Sequence, residues 1–397
     1  MKTDFDILVL GAGLVGTSLV CALEGRGLRV ALVEAAAPSG PPPGFDARKL
    51  ALAAASVQAL TTLGVLEHAQ PAPSPIRRIH VSRAGDFGTV RLRCEDSGRS
   101  DFGAVVQADA LGAALQRRLE ALRDTTVFRP WSFAGLDSGV AAVCVELAQG
   151  DARRTLSARL LVAADGTRSQ ARAALGIGAD ELDYGQTLMV CSLATDRAAD
   201  GTAYERFTDD GPIALLPMGA HYGAICAVPT ADAVRWQAFD EAQYAAAFQQ
   251  RFGWRAGRIT RVGVRSVYPI RRVVATALQA PRAVLVGNAA QTIHPVGAQG
   301  FNLGLRDALS LAELVDGGDP GRAELLVAYV DARREDRTRT LSFSDGLAGL
   351  TAAPGLAARL LRSAGLLALA YVPGLSAPLA SGAMGFRGRV PRLARTP

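Results

Sequence analysis

Four short apolar runs punctuate the chain: FDILVL at 5–10, VALV at 30–33, LLVAA at 160–164 and VLV at 284–286. Runs of this length without alternation predict strands buried on both faces, as in a parallel sheet covered by helices. The first run leads into a helix extending through Leu23, and the last leads into one whose Leu303, Leu305, Leu309 and Leu311 share an apolar face. Residues 76–94 instead alternate apolar and polar positions around a glycine-containing turn, which predicts a hairpin. Several more strands are expected within 186–232, a helix over 241–252, a strand over 258–270 and helices over 322–370, with RREDRTR at 333–339 as a solvated face. The pattern predicts an α/β protein: a Rossmann-like parallel-sheet domain, an inserted and mainly antiparallel β-sheet domain, and a helical C-terminal segment. The parallel-sheet domain is discontinuous, taking 1–75, 98–180 and 271–330, while 76–97 and 181–270 form the inserted domain and 331–397 the C-terminal segment.

Composition narrows the chemistry. With 397 residues, 49% hydrophobic and 20% charged, the chain can bury large cores and is not disordered. Its net charge of +6 is mixed with acids along most of its length and carries no aromatic-studded basic stripe, so nucleic acid is not expected as a partner. Cys21, Cys94, Cys144, Cys191 and Cys226 form no CxxC pair, and the four histidines stand far apart, so no metal site is expected. Free thiols suit a reduced, cytoplasmic setting. No GxSxG elbow supports hydrolase chemistry. The N-terminus lacks the long apolar stretch of a secretory signal. Near the other end, 24 uncharged residues lie between Arg362 and Arg387. They are long enough to span a bilayer but are broken by Pro373-Gly374 and Pro378. Three readings stay open: a segment packed on the core, a surface contact with the inner face of the membrane helped by the arginines beyond, or a span.

Gly11-Ala12-Gly13-Leu14-Val15-Gly16 sits between the first strand and its helix. In such a GxGxxG turn the first glycine makes the bend, the second admits a pyrophosphate and the third lets helix and strand pack closely. The second strand ends in Glu34, placed to hydrogen-bond ribose hydroxyls and unsuited to a 2′-phosphate. A dinucleotide of the FAD or NAD type is therefore expected. The strand at 160–164 ends in Asp165-Gly166, and the 284–286 strand opens on a glycine-rich segment. Three separated strand ends converging on one ligand suit the longer FAD.

Together these three motifs resemble the single-component FAD-dependent aromatic hydroxylases related to para-hydroxybenzoate hydroxylase. YERFT at 204–208, GPIALLPM at 211–218, GFDAR at 44–48 and GNAAQTIHP at 287–295 resemble the ubiquinone-biosynthesis branch, that of the 2-polyprenyl-6-methoxyphenol hydroxylases. The resemblance spans roughly residues 5–345. It implies FAD held by Gly11, Ala12, Gly13, Leu14, Val15, Gly16, Glu34, Asp165, Gly166, Gly287 and Asn288, and by Pro295, Gly297, Ala298, Gln299, Gly300, Phe301 and Asn302. Arg48 would reach the phosphates, or else merely start a helix.

Two positions depart from the family pattern: Asn288 stands where an aspartate is usual, and Ala298 where the first glycine of a GQG triplet is usual. The backbone of Pro295, Gln299 and Gly300 would surround the reactive carbon of the flavin, and His294 is either catalytic or a structural neighbour of the ring. The implied reaction is hydroxylation of a prenylated methoxyphenol through a C4a-hydroperoxyflavin, with O2 as cosubstrate and NAD(P)H as electron donor. Phe207, Leu215, Pro217, Met218 and Tyr222 are candidate pocket walls, with sheet core as the alternative, and no general base declares itself. Other ubiquinone-biosynthesis proteins and a membrane surface are the implied partners. The rival readings are a related flavoprotein reductase, a hydroxylase of another aromatic substrate, or a flavin-holding scaffold of a biosynthetic complex.

Overall fold

The computed structural model describes residues 3–37, 49–352, 355–372, 374–375, 377–386 and 388–395. Its first layer is a sheet whose parallel core runs in the order Ala283–Leu285, Ala152–Ala163, Phe5–Leu10, Val30–Val33, Thr125–Phe128. Register pairs Leu8 with both Leu161 and Ala31, so the apolar runs stack in one buried band. Ile7, Leu8, Val9, Leu160, Leu161 and Leu285 are all fully buried, as continuous runs without alternation require. The helix Leu14–Ala22 and the helix Gln299–Leu314 pack together against this sheet.

A second, nine-stranded sheet holds the strands Arg78–Arg83, Thr89–Arg93, Ala179–Thr195, Thr202–Thr208, Gly211–Met218, His221–Pro229 and Ser266–Ala275. The strand expected over 258–270 is two strands, Ile259–Val262 and Ser266–Ala275, and Gly263-Val264-Arg265 between them leave the ladder. One face of this sheet is covered by helices Ala233–Ala238 and Glu241–Phe252, which seat Trp236, Tyr244 and Phe248 against Met189, Leu215 and Tyr222. Asp240 and Gln243 form a reciprocal capping box that starts the longer helix. The other face looks toward the first domain across a small sheet made of Lys49–Ala53, Gly103–Gln107 and Ser74–Pro75.

The long helix Ala323–Ala352 corrects the expectation of a solvated face at 333–339. Arg333 is fully buried, while Arg334, Glu335, Thr338 and Arg339 are exposed. Arg333, Asp336, Arg337 and Thr340 recur at helical spacing and turn inward; charge alone did not reveal that stripe. Among the described residues no helix is long and apolar enough to cross a membrane. The helix Leu356–Tyr371 packs on the hairpin at 78–93, where Leu366 and Leu367 approach Gly88, and leaves Leu356, Leu360, Leu361 and Tyr371 exposed.

Candidate active site

The first turn is built by contact limits. Gly11 has φ +100°, and a Cβ there would stand 2.6 Å from the Ala164 carbonyl oxygen. A Cβ on Gly16 would lie 2.0 Å from the Gly11 carbonyl oxygen, so this glycine serves helix–strand packing. At Gly13 the same construction meets no atom of the described residues within 4 Å, which leaves room for a ligand there. The helix beginning at Leu14 has no side-chain cap and no acid in its first turn, and its N–H groups and dipole stay available to phosphates. Glu34 accepts from the Ala12 N–H at 2.8 Å and the Ala36 N–H at 2.9 Å, which fixes its carboxylate beside the turn. A carboxylate keeps further lone pairs after two such bonds, enough for a ribose diol.

Asp165 has a different local duty. Its oxygens accept from Ser169 Oγ at 2.5 Å and the Ala171 N–H at 3.1 Å, which staples the helix Gln170–Ala174. Gly166 (φ +88°) stands free beside it. Arg48 lies outside the described residues.

The 287–302 segment brings the remaining predicted residues together. Gly287 (φ +60°) crosses over Val15, and Gly304 packs directly on Gly287, where a Cβ would meet its Cα at 2.9 Å. Asn288 is exposed between buried Gly287 and Ala289, so its amide is offered outward. Pro295 turns the chain, Gly297 has φ +69° and Ala298 sits at φ +52°, ψ +36°. The usual family glycine position is thus left-handed here although occupied by alanine. Gln299, Gly300 and Phe301 open the next helix without a capping side chain. Asn302 is buried and its side chain is engaged: Oδ1 accepts from the Ala53 N–H at 2.9 Å, and Nδ2 donates to the Ala51 and Ala298 carbonyls at 2.9 and 2.8 Å. Any ligand contact from Asn302 therefore falls to its backbone.

His294 is placed as a structural residue. Its Nδ1 accepts from the Val296 N–H at 3.2 Å, its Nε2 faces Gln186 Oε1 at 3.4 Å, and Tyr184 packs edge-on at 4.8 Å. Burial pushes its pKa down to about 4, so the ring is neutral near pH 7.

A buried ionic cluster, which no motif marks, ties this segment to the long helix Ala323–Ala352. Asp307 accepts from the Gly287 N–H at 3.2 Å, from Gln291 Nε2 at 2.6 Å and from Arg333 Nε at 2.7 Å. Arg333 also reaches Asp336, which pairs with Arg306. The only sequence signal was a charge pattern at helical spacing.

The candidate pocket walls divide between two faces. Leu215 and Tyr222 belong to the helix-side core, and Pro217 pairs with Tyr222 and shares its face. They are corrected to sheet core: side chains alternate along a strand, so GPIALLPM cannot line one surface throughout. Phe207 pairs with Pro212 and Met218 packs with Leu216, which places both on the face toward the first domain. A residue the motif reading passed over, Glu205, lies on that same face, paired with Ala214 and Val81.

Comparison with known proteins agrees with this geometry. The family model described as FAD binding domain matches residues 4–344. Ubiquinone hydroxylase UbiL of Rhodospirillum rubrum is 34% identical over 87% of this chain and 81% of its own. The 3-demethoxyubiquinol 3-hydroxylase of Escherichia coli is 31% identical over 78% of this chain and 79% of its own. The p-nitrophenol 4-monooxygenase PnpA of Pseudomonas putida shares the fold, with a TM-score of 0.78 at 18% identity over 98% of this chain and 100% of that one. With a glycine turn and uncapped helix start of the kind that suits a dinucleotide, and a family match over residues 4–344, the chain belongs to the FAD-binding domain family.

Proposed function

We propose that the chain is an FAD-dependent aromatic-ring monooxygenase acting on a polyprenylated methoxyphenol of ubiquinone biosynthesis. The observation that carries this reading is the facing of an FAD cradle by one surface of the nine-stranded sheet, in a chain whose relatives are named for ubiquinone hydroxylation. Bound and reduced, FAD supplies the activation of dioxygen. The chain's own residues do the rest. Gly11 to Gly16 and Glu34 hold the dinucleotide half. The uncapped N-terminus at Gln299–Phe301 favours the negative charge of a reduced ring, and Asn288 offers its amide to polyol hydroxyls. The sheet face shields the reaction from water.

NAD(P)H is the electron donor in this reading, and O2 the cosubstrate. A prenylated substrate lives in the bilayer, and the exposed Leu356, Leu360, Leu361, Tyr371, Val372 and Leu375 at the C-terminal helix suit peripheral contact with a membrane. The test is NAD(P)H oxidation by the FAD-loaded protein, with and without a short-chain 2-prenyl-6-methoxyphenol, with mass analysis of the product. Faster oxidation and a product heavier by one oxygen are expected. Oxidation that yields peroxide alone would overturn the substrate assignment.

A further inference from the structure

Glu205 occupies an unusual place for a carboxylate. On the face toward the FAD domain, register sets it in one row with Val90, Val81, Ala214, Ile225 and Val190, contributed by five neighbouring strands. Those five residues are apolar, and the row ends on Ser266, which pairs with Val190. The row lies between two places where the sheet meets the flavin-binding elements. On one side Gly223 abuts Lys49, at the start of the strand clasped by Asn302. On the other side Gln186 meets His294. Glu205 is half-buried, and among the described residues no hydrogen bond or ion pair holds its carboxylate. A charge among apolar side chains without a partner is costly, and such groups cluster at functional sites.

We infer that Glu205 is the base that takes the proton of the substrate's ring hydroxyl. This rests on the reading of the chain as a phenol hydroxylase and adds the residue that reading lacks. As the ring is activated, its O–H bond breaks, the electron pair stays on the ring oxygen and the proton moves to a Glu205 carboxylate oxygen. The protein gains and loses no electrons in this step. Burial pushes the Glu205 pKa up to about 7, which poises it near the working pH. The surrounding charged groups are directed elsewhere: Arg83 to Asp86 and Asp209, Asp345 to Tyr184 and Arg272, and His294 to Gln186. Lys49 and Tyr268 border the same face.

Two measurements on the FAD-loaded protein test this. The first is the pH profile of kcat/KM with a short-chain 2-prenyl-6-methoxyphenol. The wild type is expected to rise with pH and level off above about 7, while Glu205→Gln loses that limb and falls by about 100-fold or more at unchanged FAD content. The second is binding of the phenol against its methyl ether at pH 8. The wild type prefers the phenol by roughly tenfold or more, as for a hydrogen bond to a charged group. In Glu205→Leu, whose side chain matches its apolar row, the preference collapses. An unchanged pH profile in Glu205→Gln, or an unchanged phenol preference in Glu205→Leu, overturns the inference even if the wild type hydroxylates well. A wild type that prefers the phenol through Glu205 yet forms no hydroxylated product overturns the proposed reaction and leaves Glu205 as the acceptor of the phenol proton.

Discussion

Ala298 holds a left-handed backbone at φ +52° immediately before the helix Gln299–Leu314, a conformation that penalises a Cβ. Ala298→Gly is expected to raise unfolding stability by about 0.5–1 kcal/mol, the relief exceeding the added freedom of the unfolded chain. Denaturant titration of both proteins without cofactor checks this, and an unchanged or lower midpoint would count against strain at that residue. Histidine protonation acts on stability at the same scale. His294 and His80 have pKa values pushed down by burial to about 4 each, against about 6.5 when unfolded. Below about 6.5 the unfolded chain takes up protons that the folded chain refuses, so stability falls as the pH drops from about 6.5 toward 4. Replacing His294 with Asn is expected to make that fall shallower. Glu205 acts in the opposite direction, because its folded pKa is raised to about 7. The stability it contributes is full below about 4.5 and is lost as pH rises through 7, so Glu205→Gln gains stability at pH 8 relative to pH 5.

At the scale of elements, the glycine turn separates two duties that one motif joins. Gly13→Ala meets no atom of the described residues within 4 Å, whereas Gly16→Ala places its methyl 2.0 Å from the Gly11 oxygen. Gly13→Ala should unfold at the wild-type denaturant midpoint without cofactor yet retain little FAD, while Gly16→Ala should lose the fold itself. Equal midpoints for the two variants would contradict the packing role given to Gly16. The buried cluster offers a further test. Asp307→Ala strips Arg333 of one partner and releases the Gly287 N–H, at an expected cost of about 3 kcal/mol or more. These duties were not equally visible in the sequence. The strands at 5–10 and 30–33 were readable to the residue, because short runs apolar at nearly every position and bounded by turn residues suit strands covered on both faces. The helix at 241–252 was equally plain from its period. Leu215 and Tyr222 were not, because which face of a strand meets a helix depends on elements distant in sequence. Arg333 looked solvent-facing because a charge buried against Asp307 has the same composition as one in water. Glu205 was hidden in the same way, since only the register of five other strands sets it beside Val90, Val81, Ala214, Ile225 and Val190.

Across the whole molecule, the helix Leu356–Tyr371 is fixed to the hairpin at 78–93 by polar ties. Arg362 pairs with Asp86 at 2.7 Å, and Ser363 Oγ accepts from the Phe87 N–H at 3.0 Å. The outward leucines are therefore carried on the same body as the nine-stranded sheet. Leu360→Glu with Leu361→Glu is expected to weaken cosedimentation with anionic vesicles several-fold while leaving turnover of a short-chain substrate unchanged. Vesicle binding that does not respond would remove this helix as the contact. The parallel core also has a bearing on biosynthesis. Its edge strand, Ala283–Leu285, lies beside Ala152–Ala163 and arrives long after Gly11 to Gly16 have left the ribosome. During translation the first nucleotide turn waits through more than half of the chain without the neighbour that completes its cradle, in a sheet whose long-range pairings close slowly. A nascent chain stalled before residue 283 would hold a sheet still missing that strand, and Gly287 would not yet have packed on Val15 beside the glycine turn.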